Sequence, residues 1–325
     1  MGGALTMKAA LITARGRIDL VDLPVLGAPR QGEVIFRAET GCLCGSDIPF
    51  FSEAQPFYPQ PLGLSLHEIV GRVTATASTS FREGDRVLAM PPNLLGCGEQ
   101  LRLRDDRFVP IDDALSNDDA VVSQPTATVL SALSTIPTVV GLTVAVVGQG
   151  PIGLLFDSCL SHLGAARIIA IDVRERRVAR SCEFGATDVF VARETGGRDA
   201  IACVEELTRG AMADLVVEAV GHEEQQFNLA AALARDKGRV LFFGIPPERM
   251  DAVAFEAVVR KSLTIHTSVP DDLRPFVRIA QRAIKEKRIH PSRLITHRFP
   301  FEQIQQAFET YRDRRDGALK VLIDF

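Results

Sequence analysis

The chain has 325 residues, 46% of them hydrophobic, so it is long enough for about two domains with sizeable cores. A net charge of -4, with no long run of one sign, argues against nucleic acid and anionic membrane surfaces as partners. No apolar stretch reaches the roughly 20 residues of a membrane helix, and the six cysteines do not form a disulfide framework. The sequence starts without a secretory signal pattern, so we expect a cytoplasmic protein with reduced thiols.

The first third of the chain is rich in short β-branched runs separated by turn residues. Strands are predicted at residues 33–38, 69–74 and 87–89, and residues 84–86 predict the turn before the last of these. This pattern predicts a β-rich unit with few and short helices.

From about Thr126 the pattern changes to an alternation of strands and helices. Residues 143–147 form an apolar run that is typical of a strand buried on both faces. Further strands are predicted at 167–171, 213–217 and 239–243, with helices at 153–163, 175–184 and 224–234. The alternation predicts an α/β fold with a doubly wound parallel sheet of the Rossmann type.

The last part of the chain, from about Val269, predicts two amphipathic helices and a closing strand at residues 318–324. This part is too short to fold alone, so we expect it to pack against the N-terminal unit. We therefore predict one discontinuous domain of residues 1–124 and 269–325, interrupted by a dinucleotide-binding domain of residues 125–268.

A glycine-rich turn follows the strand at residues 143–147 and opens a helix. Gly148 permits a tight turn, Gly150 lets the backbone approach a pyrophosphate, and Gly153 allows close packing of the helix on the sheet. The helix start offers N–H groups and a positive dipole end to the phosphates. The turn predicts a dinucleotide site formed by Gly148, Gly150, Pro151, Ile152 and Gly153.

Asp172 ends the next predicted strand, 22 residues beyond Gly150. A carboxylate at this place binds the ribose hydroxyls and repels a 2′-phosphate, which favours NAD over NADP. Arginines follow at positions 174, 176 and 177, and an arginine can accommodate that phosphate, so the choice of cofactor stays open. We count Arg177, together with Gly244 after the strand at residues 239–243, among the predicted cofactor-binding residues.

A second group of residues has the composition of a metal site. Cys44 lies in the phrase Cys44-Gly45-Ser46-Asp47, and His67 and Glu68 follow after a predicted loop. Thiolate, imidazole and carboxylate are the ligand types of catalytic zinc sites. The long spacing carries little information by itself, and a single histidine such as His67 is more often a core residue.

The order of these phrases resembles the zinc-dependent medium-chain alcohol and polyol dehydrogenases. The Cys44 phrase, the His67 phrase, the glycine turn and residues 294–302 occur in the order of that family, so the resemblance covers nearly the whole chain. It implies a GroES-like catalytic domain beside a Rossmann domain. It also implies a small-molecule alcohol or carbonyl substrate and a homodimer or homotetramer.

The resemblance also implies roles for individual residues. Cys44, His67 and Glu68 match zinc ligands, and Gln124 falls where relatives carry a cysteine or glutamate ligand. Ser46 matches the hydroxyl that accepts a hydrogen bond from the substrate alcohol and starts proton removal, so Ser46 and His67 are the predicted catalytic residues. On the cofactor side, Thr128 falls beside the nicotinamide, and Lys320 matches a basic residue that pairs with the pyrophosphate.

Three departures from the family pattern bear on the prediction. Leu66 replaces the glycine that usually precedes the His-Glu pair. Residues 91–109 offer only Cys97 where relatives hold a structural zinc with four cysteines, so we predict one catalytic zinc and no structural zinc. Pro49 replaces a frequent histidine, so the proton must leave through the ribose hydroxyl, ordered water or another side chain.

The sequence thus predicts a zinc-dependent dehydrogenase that transfers a hydride between a secondary alcohol and NAD. The missing zinc lobe and Glu68 favour a polyol, sugar or cyclitol, by family analogy. Two alternatives stay open: a zinc-free enone or quinone reductase of the same superfamily, and a catalytically silent nucleotide-binding protein. The presence of Cys44, Ser46 and the His67-Glu68 pair argues against both.

Overall fold

The computed structural model describes residues 5–193, 197–221 and 224–325, and its packing divides the chain into two units. The first unit comprises Met1–Gln124, Val277–Glu286 and Pro291–Phe325, and the second comprises Pro125–Phe276 and Lys287–His290. The sequence placed the second boundary after residue 268. The packing places it before Val277, because Val277 is the first buried residue of the helix that returns to the first unit.

The first unit is built on a mostly antiparallel sheet. Its strands are β1 Thr6–Ala14, β2 Arg17–Pro24, β3 Glu33–Cys42, β4 Ile69–Thr76, β5 Arg86–Ala89, β6 Gln100–Arg104, β7 Phe108–Pro110, β14 Ile295–Pro300 and β15 Lys320–Asp324. Seven of them form one sheet in the order β14-β15-β3-β4-β5-β7, with β6 also paired to β3, while β1 and β2 form a separate hairpin. The pair β14-β15 is parallel and the other pairs of the unit are antiparallel.

The register around β3 brings distant parts of the sequence together. β3 ends at Cys42 and β4 begins at Ile69, and the two strands pair with Gly41 opposite Ile69. The residues just after β3 therefore lie beside the residues just before β4. On the other side of β3, Leu322 of β15 pairs with Cys42, which brings the start of β15 to the same edge.

Five helices lie wholly or partly in the first unit: α1 Ile48–Ser52, α2 Asn117–Val121, α3 Ser123–Leu133, α9 Arg274–Lys285 and α10 Ile304–Asp313. Two of the boundaries between the units fall within α3 and α9, and the other two lie on either side of Lys287–His290. Apolar residues of β3, α1 and α10 share one core, in which the Phe51 and Phe308 rings lie 5.1 Å apart. Leu43 and Leu66, which directly precede the candidate metal ligands Cys44 and His67, belong to the same core.

The second unit is a parallel sheet flanked by helices. Its strands are β8 Thr143–Val147, β9 Arg167–Asp172, β10 Asp188–Val191, β11 Ala213–Glu218, β12 Ala234–Phe242 and β13 Thr264–His266. Its helices besides part of α3 and α9 are α4 Pro151–His162, α5 Glu175–Ser181, α6 Arg198–Leu207, α7 Glu224–Leu233 and α8 Phe255–Arg260.

The strands of the second unit run in the order β10-β9-β8-β11-β12-β13, and every pair is parallel. This order reverses direction between β8 and β11, as in Rossmann folds, where ligands bind at the carboxyl ends of the strands near that point. The predicted α/β fold, with a Rossmann sheet and a β-rich GroES-like unit, is confirmed. In the described part of the chain, none of the helices has the length and apolar character needed to cross a membrane.

Candidate metal centre and dinucleotide turn

Three of the predicted metal ligands lie together in the first unit. The ligand atoms of Cys44, His67 and Glu68 are all within 4.8 Å of one another, because the pairing of β3 with β4 joins the two loops that carry them. Across residues 5–193, 197–221 and 224–325, this is the one group of three or more histidine, cysteine or acidic side chains with such spacing. A thiolate, an imidazole and a carboxylate at these separations fit a zinc ion.

The charges around His67 change its protonation. Burial alone would lower the pKa of His67, but a hydrogen bond and charge attraction from Cys44, with the carboxylates of Asp47 and Glu68, raise it from 6.5 to about 9. The Nδ1 atom is buried and has no hydrogen-bond partner among the described residues. A metal ion binds neutral imidazole, so metal binding has to displace the proton that the raised pKa favours.

Asp47 is a site residue that the sequence analysis did not single out. Its fully buried carboxylate accepts a hydrogen bond from the Cys44 backbone N–H (2.7 Å) and another from the Leu66 backbone N–H (3.0 Å). Burial raises the pKa of Asp47 above 3.8, against the lowering effect of these hydrogen bonds. One carboxylate thus connects the loop of Cys44 to the loop of His67. The sequence signal that could have identified Asp47 is its position three residues after Cys44 in the same short motif.

The backbone before His67 adopts the left-handed region. Ser65 has a φ of 111° and Leu66 a φ of 65°, a region that favours glycine. Glycine would therefore be the unstrained residue at position 66. Here the leucine side chain is fully buried in the core of the first unit, so apolar packing offsets the backbone strain.

Lys320 forms a buried ion pair with Glu68. Its Nζ lies 2.7 Å from each carboxylate oxygen of Glu68 and also donates to the Leu43 carbonyl at 3.3 Å. Burial alone would lower the pKa of Lys320, but charge attraction from Cys42 and Glu68 holds it well above its ordinary value. The family resemblance implied that Lys320 pairs with the cofactor pyrophosphate. That role stays a prediction, and the structure adds a carboxylate partner that sequence did not indicate.

Ser46 and Gln124 complete the predicted residues of the first unit. Ser46 lies in a short helical turn, Gly45–Asp47, and its buried hydroxyl has no hydrogen-bond partner within the described part of the chain. Such an orphaned hydroxyl fits a site that receives a substrate hydroxyl. Gln124 is buried near the start of α3, with 9% of its surface exposed, and its contact with a metal stays a prediction.

The glycine turn of the second unit has the geometry that its sequence predicts. Gly148 has a φ of 93°, and a Cβ on Gly153 would lie 1.8 Å from the Gly148 carbonyl oxygen, so only glycine fits there. Gly150 caps α4, which begins with Pro151 and Ile152. The first N–H groups of a helix lack partners within the helix, so this turn can hold phosphate.

Asp172 and Arg177 are in contact beside this turn. The Asp172 carboxylate at the end of β9 accepts hydrogen bonds from the backbone N–H groups of Gln149 (2.7 Å) and Arg174 (2.8 Å). The Arg177 guanidinium lies 3.5 Å from the same carboxylate and 3.8 Å from the place of a Cβ on Gly150. The acid predicted to bind the ribose and an arginine beside the glycine turn therefore form one ion pair.

Gly244 and Thr128 are two further residues predicted to contact the cofactor. The N–H of Gly244 donates to Glu218 Oε2 at 3.2 Å, and a Cβ there would lie 2.2 Å from the Gly221 nitrogen. Close packing therefore accounts for glycine at position 244. Thr128 lies in α3, and the cofactor contacts of Thr128 and Gly244 stay predictions.

A β-rich unit with a thiolate, imidazole and carboxylate group, together with a Rossmann unit with a phosphate-binding turn, defines the class of medium-chain dehydrogenases. The alcohol dehydrogenase GroES-like domain matches residues 30–109, and the zinc-binding dehydrogenase domain matches residues 151–279. Together these matches span more than half of the chain. The protein belongs to the zinc-dependent medium-chain dehydrogenase/reductase superfamily, as the resemblance predicted.

Individual relatives are distant but span the whole chain. L-threonine 3-dehydrogenase of Bacillus licheniformis is 27% identical, with 94% of each chain covered. Sorbitol dehydrogenase of Bacillus subtilis is 23% identical, with 98% of this chain and 97% of the relative covered. The structure of an alcohol dehydrogenase from Thermus sp. ATN1 has a TM-score of 0.87 at 23% identity, covering 98% of this chain and 99% of its own. Both the oxidoreductase family and the fold are thus shared along the full length.

Proposed function

We propose that this protein is an NAD-dependent zinc dehydrogenase that oxidises a secondary alcohol of a polyol, sugar or cyclitol. The observation that carries the proposal is the group of Cys44, His67 and Glu68. The buried Ser46 hydroxyl lies two residues after Cys44 and has no hydrogen-bond partner among the described residues. The sorbitol dehydrogenase among the relatives supports a polyol substrate.

In this proposal, Cys44, His67 and Glu68 hold one zinc ion, with Gln124 as a further, uncharged contact. When bound there, zinc would supply a Lewis acid for the alcohol oxygen, and a nicotinamide cofactor would supply the hydride acceptor. Ser46 Oγ accepts the hydrogen bond of the substrate hydroxyl and takes up its proton as the serine passes its own hydroxyl proton to the next acceptor. Pro49 has no titratable group, so the proton leaves Ser46 by the ribose hydroxyl, ordered water or another side chain.

NAD is the proposed cofactor on the basis of the second unit. The turn from Gly148 to Gly153, which opens α4, would hold the pyrophosphate, and Asp172 at the end of β9 would bind the ribose. The remaining proposed contacts are Arg177, Thr128, Gly244 and Lys320. Arg177 is the residue that would extend this preference to NADP, since it lies beside both Asp172 and the turn.

The zinc-free reductase is the second candidate, because one observation favours it. Lys320 binds both carboxylate oxygens of Glu68, and this ion pair competes with a metal for the same ligand. A catalytic site without zinc would then reduce an enone or quinone with the nicotinamide cofactor.

We also propose a cytoplasmic homodimer or homotetramer. β13 is the last strand in the sheet of the second unit, and Ile265 on it is 36% exposed. The neighbouring helix α8 exposes Phe255 and Val259, so pairing of two β13 strands would cover apolar surface.

Metal content and turnover test the proposal together. Elemental analysis of the purified protein should find one zinc per chain, and a screen of polyols, sugars and cyclitols should give turnover with NAD. Full activity on enones without zinc would favour the second candidate. Binding of NADH without turnover of any alcohol or enone would identify a catalytically silent protein, and two zincs per chain would contradict the predicted single site.

A further inference from the structure

Residues 94–98, the brace segment, run along the loop that leads to His67. The backbone N–H of Ser65 donates to the Leu94 carbonyl (2.6 Å), and the N–H of Gly96 donates back to the Ser65 carbonyl (3.0 Å). The N–H of Cys97 donates to the Gly63 carbonyl at 3.0 Å. These bonds attach the brace segment to residues 63–65, directly before the left-handed backbone of Leu66.

The brace segment is also hydrogen-bonded to the β1-β2 hairpin of the first unit. The Cys97 carbonyl accepts a hydrogen bond from the Ala10 N–H of β1 at 2.9 Å, and Cys97 is fully buried. The brace segment therefore forms hydrogen bonds both to the loop before His67 and to β1, and it connects the two. Backbone hydrogen bonds and the burial of Cys97 therefore order this part of the chain.

Gly96 of the brace segment lies tightly against Leu66 and Ile69, which flank the two candidate ligands His67 and Glu68. A Cβ on Gly96 would lie 2.4 Å from the Leu66 carbonyl oxygen and 2.5 Å from Ile69 Cδ1, so the brace segment and the loop have no room for a methyl group. The Leu66 carbonyl belongs to the peptide bond that carries the His67 nitrogen. The Leu66 N–H donates a hydrogen bond to the Asp47 carboxylate (3.0 Å). The backbone of Leu66 is therefore in contact with Asp47 through its N–H and with Gly96 through its carbonyl.

We propose that Gly96 is a positioning residue for the metal centre: its lack of a side chain lets the brace segment fix the Leu66-His67 peptide bond and so the direction of the His67 ring. The inference rests on the proposed zinc site. A methyl group at position 96 has to push the Leu66 carbonyl away and turn His67 from its place beside Cys44 and Glu68. Loss of a group that orients a metal ligand typically weakens metal binding by about 10- to 100-fold.

The test compares Gly96→Ala with Gly98→Ala. Gly98 lies in the same segment, but a Cβ there would be 3.4 Å from the Ala9 Cβ, an ordinary contact. The metal-free proteins are titrated with Zn²⁺ against a chelator of known affinity, and the absorption spectrum of the Co²⁺-loaded proteins reports the ligand geometry. Thermal unfolding of the metal-free proteins measures stability separately. We expect at least about tenfold weaker zinc binding and an altered cobalt spectrum in Gly96→Ala, with Gly98→Ala like the unmutated protein.

A milder variant serves if Gly96→Ala does not fold. Ile69→Val removes the Cδ1 atom, so in Gly96→Ala/Ile69→Val the new methyl group meets chiefly the Leu66 carbonyl. This double variant should fold and still bind zinc more weakly than Ile69→Val alone. Unchanged zinc affinity and cobalt spectrum in the alanine variants, or equal weakening in Gly98→Ala, would overturn the inference while leaving the zinc site intact. Absence of zinc binding in the unmutated protein would overturn the proposed function itself.

Discussion

Lys320 and Glu68 are 252 residues apart in sequence and form an ion pair that solvent does not reach. The Lys320 side chain is 1% exposed and that of Glu68 0%, with Nζ 2.7 Å from both carboxylate oxygens. The pair places a positive charge directly behind one of the three candidate metal ligands. A metal ion at Cys44 and His67 would share the Glu68 carboxylate with Lys320, so this pair sets how much negative charge the metal receives.

Lys320→Met should destabilise the metal-free protein by about 3–5 kcal/mol, because it leaves the Glu68 carboxylate buried without a cation. Zinc bound at Glu68 would replace the lost charge, so zinc should raise the Tm of this variant more than that of the unmutated protein. Chemical and thermal unfolding with and without zinc measure both effects. The double variant Glu68→Gln/Lys320→Met removes both charges and serves as the control. Equal zinc-induced shifts would show that Glu68 does not contact the metal, and an unchanged Kd for NADH would remove Lys320 from the cofactor site.

Arg177→Ala should increase the preference for NAD over NADP by about 12- to 150-fold, since a charge-assisted hydrogen bond to phosphate is worth about 1.5–3 kcal/mol. Asp172→Asn should shift the preference the other way, because the ribose site loses its negative charge. The measurement is kcat/KM with each cofactor. Arg176→Ala is the matched control, because Arg176 is exposed one position away on the same helix. If Arg176→Ala shifts the ratio as much as Arg177→Ala, the ion pair of Asp172 and Arg177 does not decide cofactor choice.

Leu66→Gly should lower the stability of the protein even though it relieves backbone strain. The left-handed φ of 65° costs leucine about 1–2 kcal/mol, whereas deleting its fully buried side chain costs about 3–5 kcal/mol. We therefore expect a net loss of about 2 kcal/mol in the free energy of unfolding. Leu66→Ala, which loses the packing but keeps the strain, should be less stable than Leu66→Gly. The reverse order in urea unfolding would show that the strain at position 66 is negligible.

Zinc binding near neutral pH should release the proton of His67. With its pKa raised from 6.5 to about 9, this histidine stabilises the metal-free fold below pH 6.5, and that contribution is lost as the pH rises through about 9. Apparent zinc affinity should accordingly rise between these pH values, because less proton has to be displaced. Calorimetric titration in buffers of different ionisation enthalpy counts the protons released. A zinc affinity that does not change between pH 6.5 and 9 would contradict the raised pKa.

Gln124→Glu should move the pH at which kcat/KM for alcohol oxidation rises to a higher value. A further negative charge near the metal weakens its pull on the substrate hydroxyl and raises the pKa of that hydroxyl. Gln124→Ala should leave zinc bound, whereas Cys44→Ala or His67→Ala should remove it. An unchanged pH profile with unchanged zinc content in Gln124→Glu would place Gln124 outside the metal site.

The dinucleotide turn shows what local sequence determines. The turn from Gly148 to Gly153, the strand before it and the helix after it form one continuous stretch, and the glycines are required by contacts within that stretch, such as that of Gly153 with the Gly148 carbonyl. The alternation of buried strands and helices likewise follows from local periodicity. Local sequence was therefore enough to predict both the fold class and the residues of the glycine turn. The candidate ligands Cys44, His67 and Glu68 came from the family resemblance.

Only the tertiary structure decided which partners these residues have. The Asp47 carboxylate bonds to Leu66, 19 residues away, Gly96 fits against Leu66, and Lys320 reaches Glu68 across 252 residues. Each contact depends on the register of β3 with β4 or β15, or on the course of a loop, and neither is encoded in the spacing of motifs. Hydrogen-bonded and charged groups must find partners when they are buried, but the sequence does not say which partner the fold brings within reach.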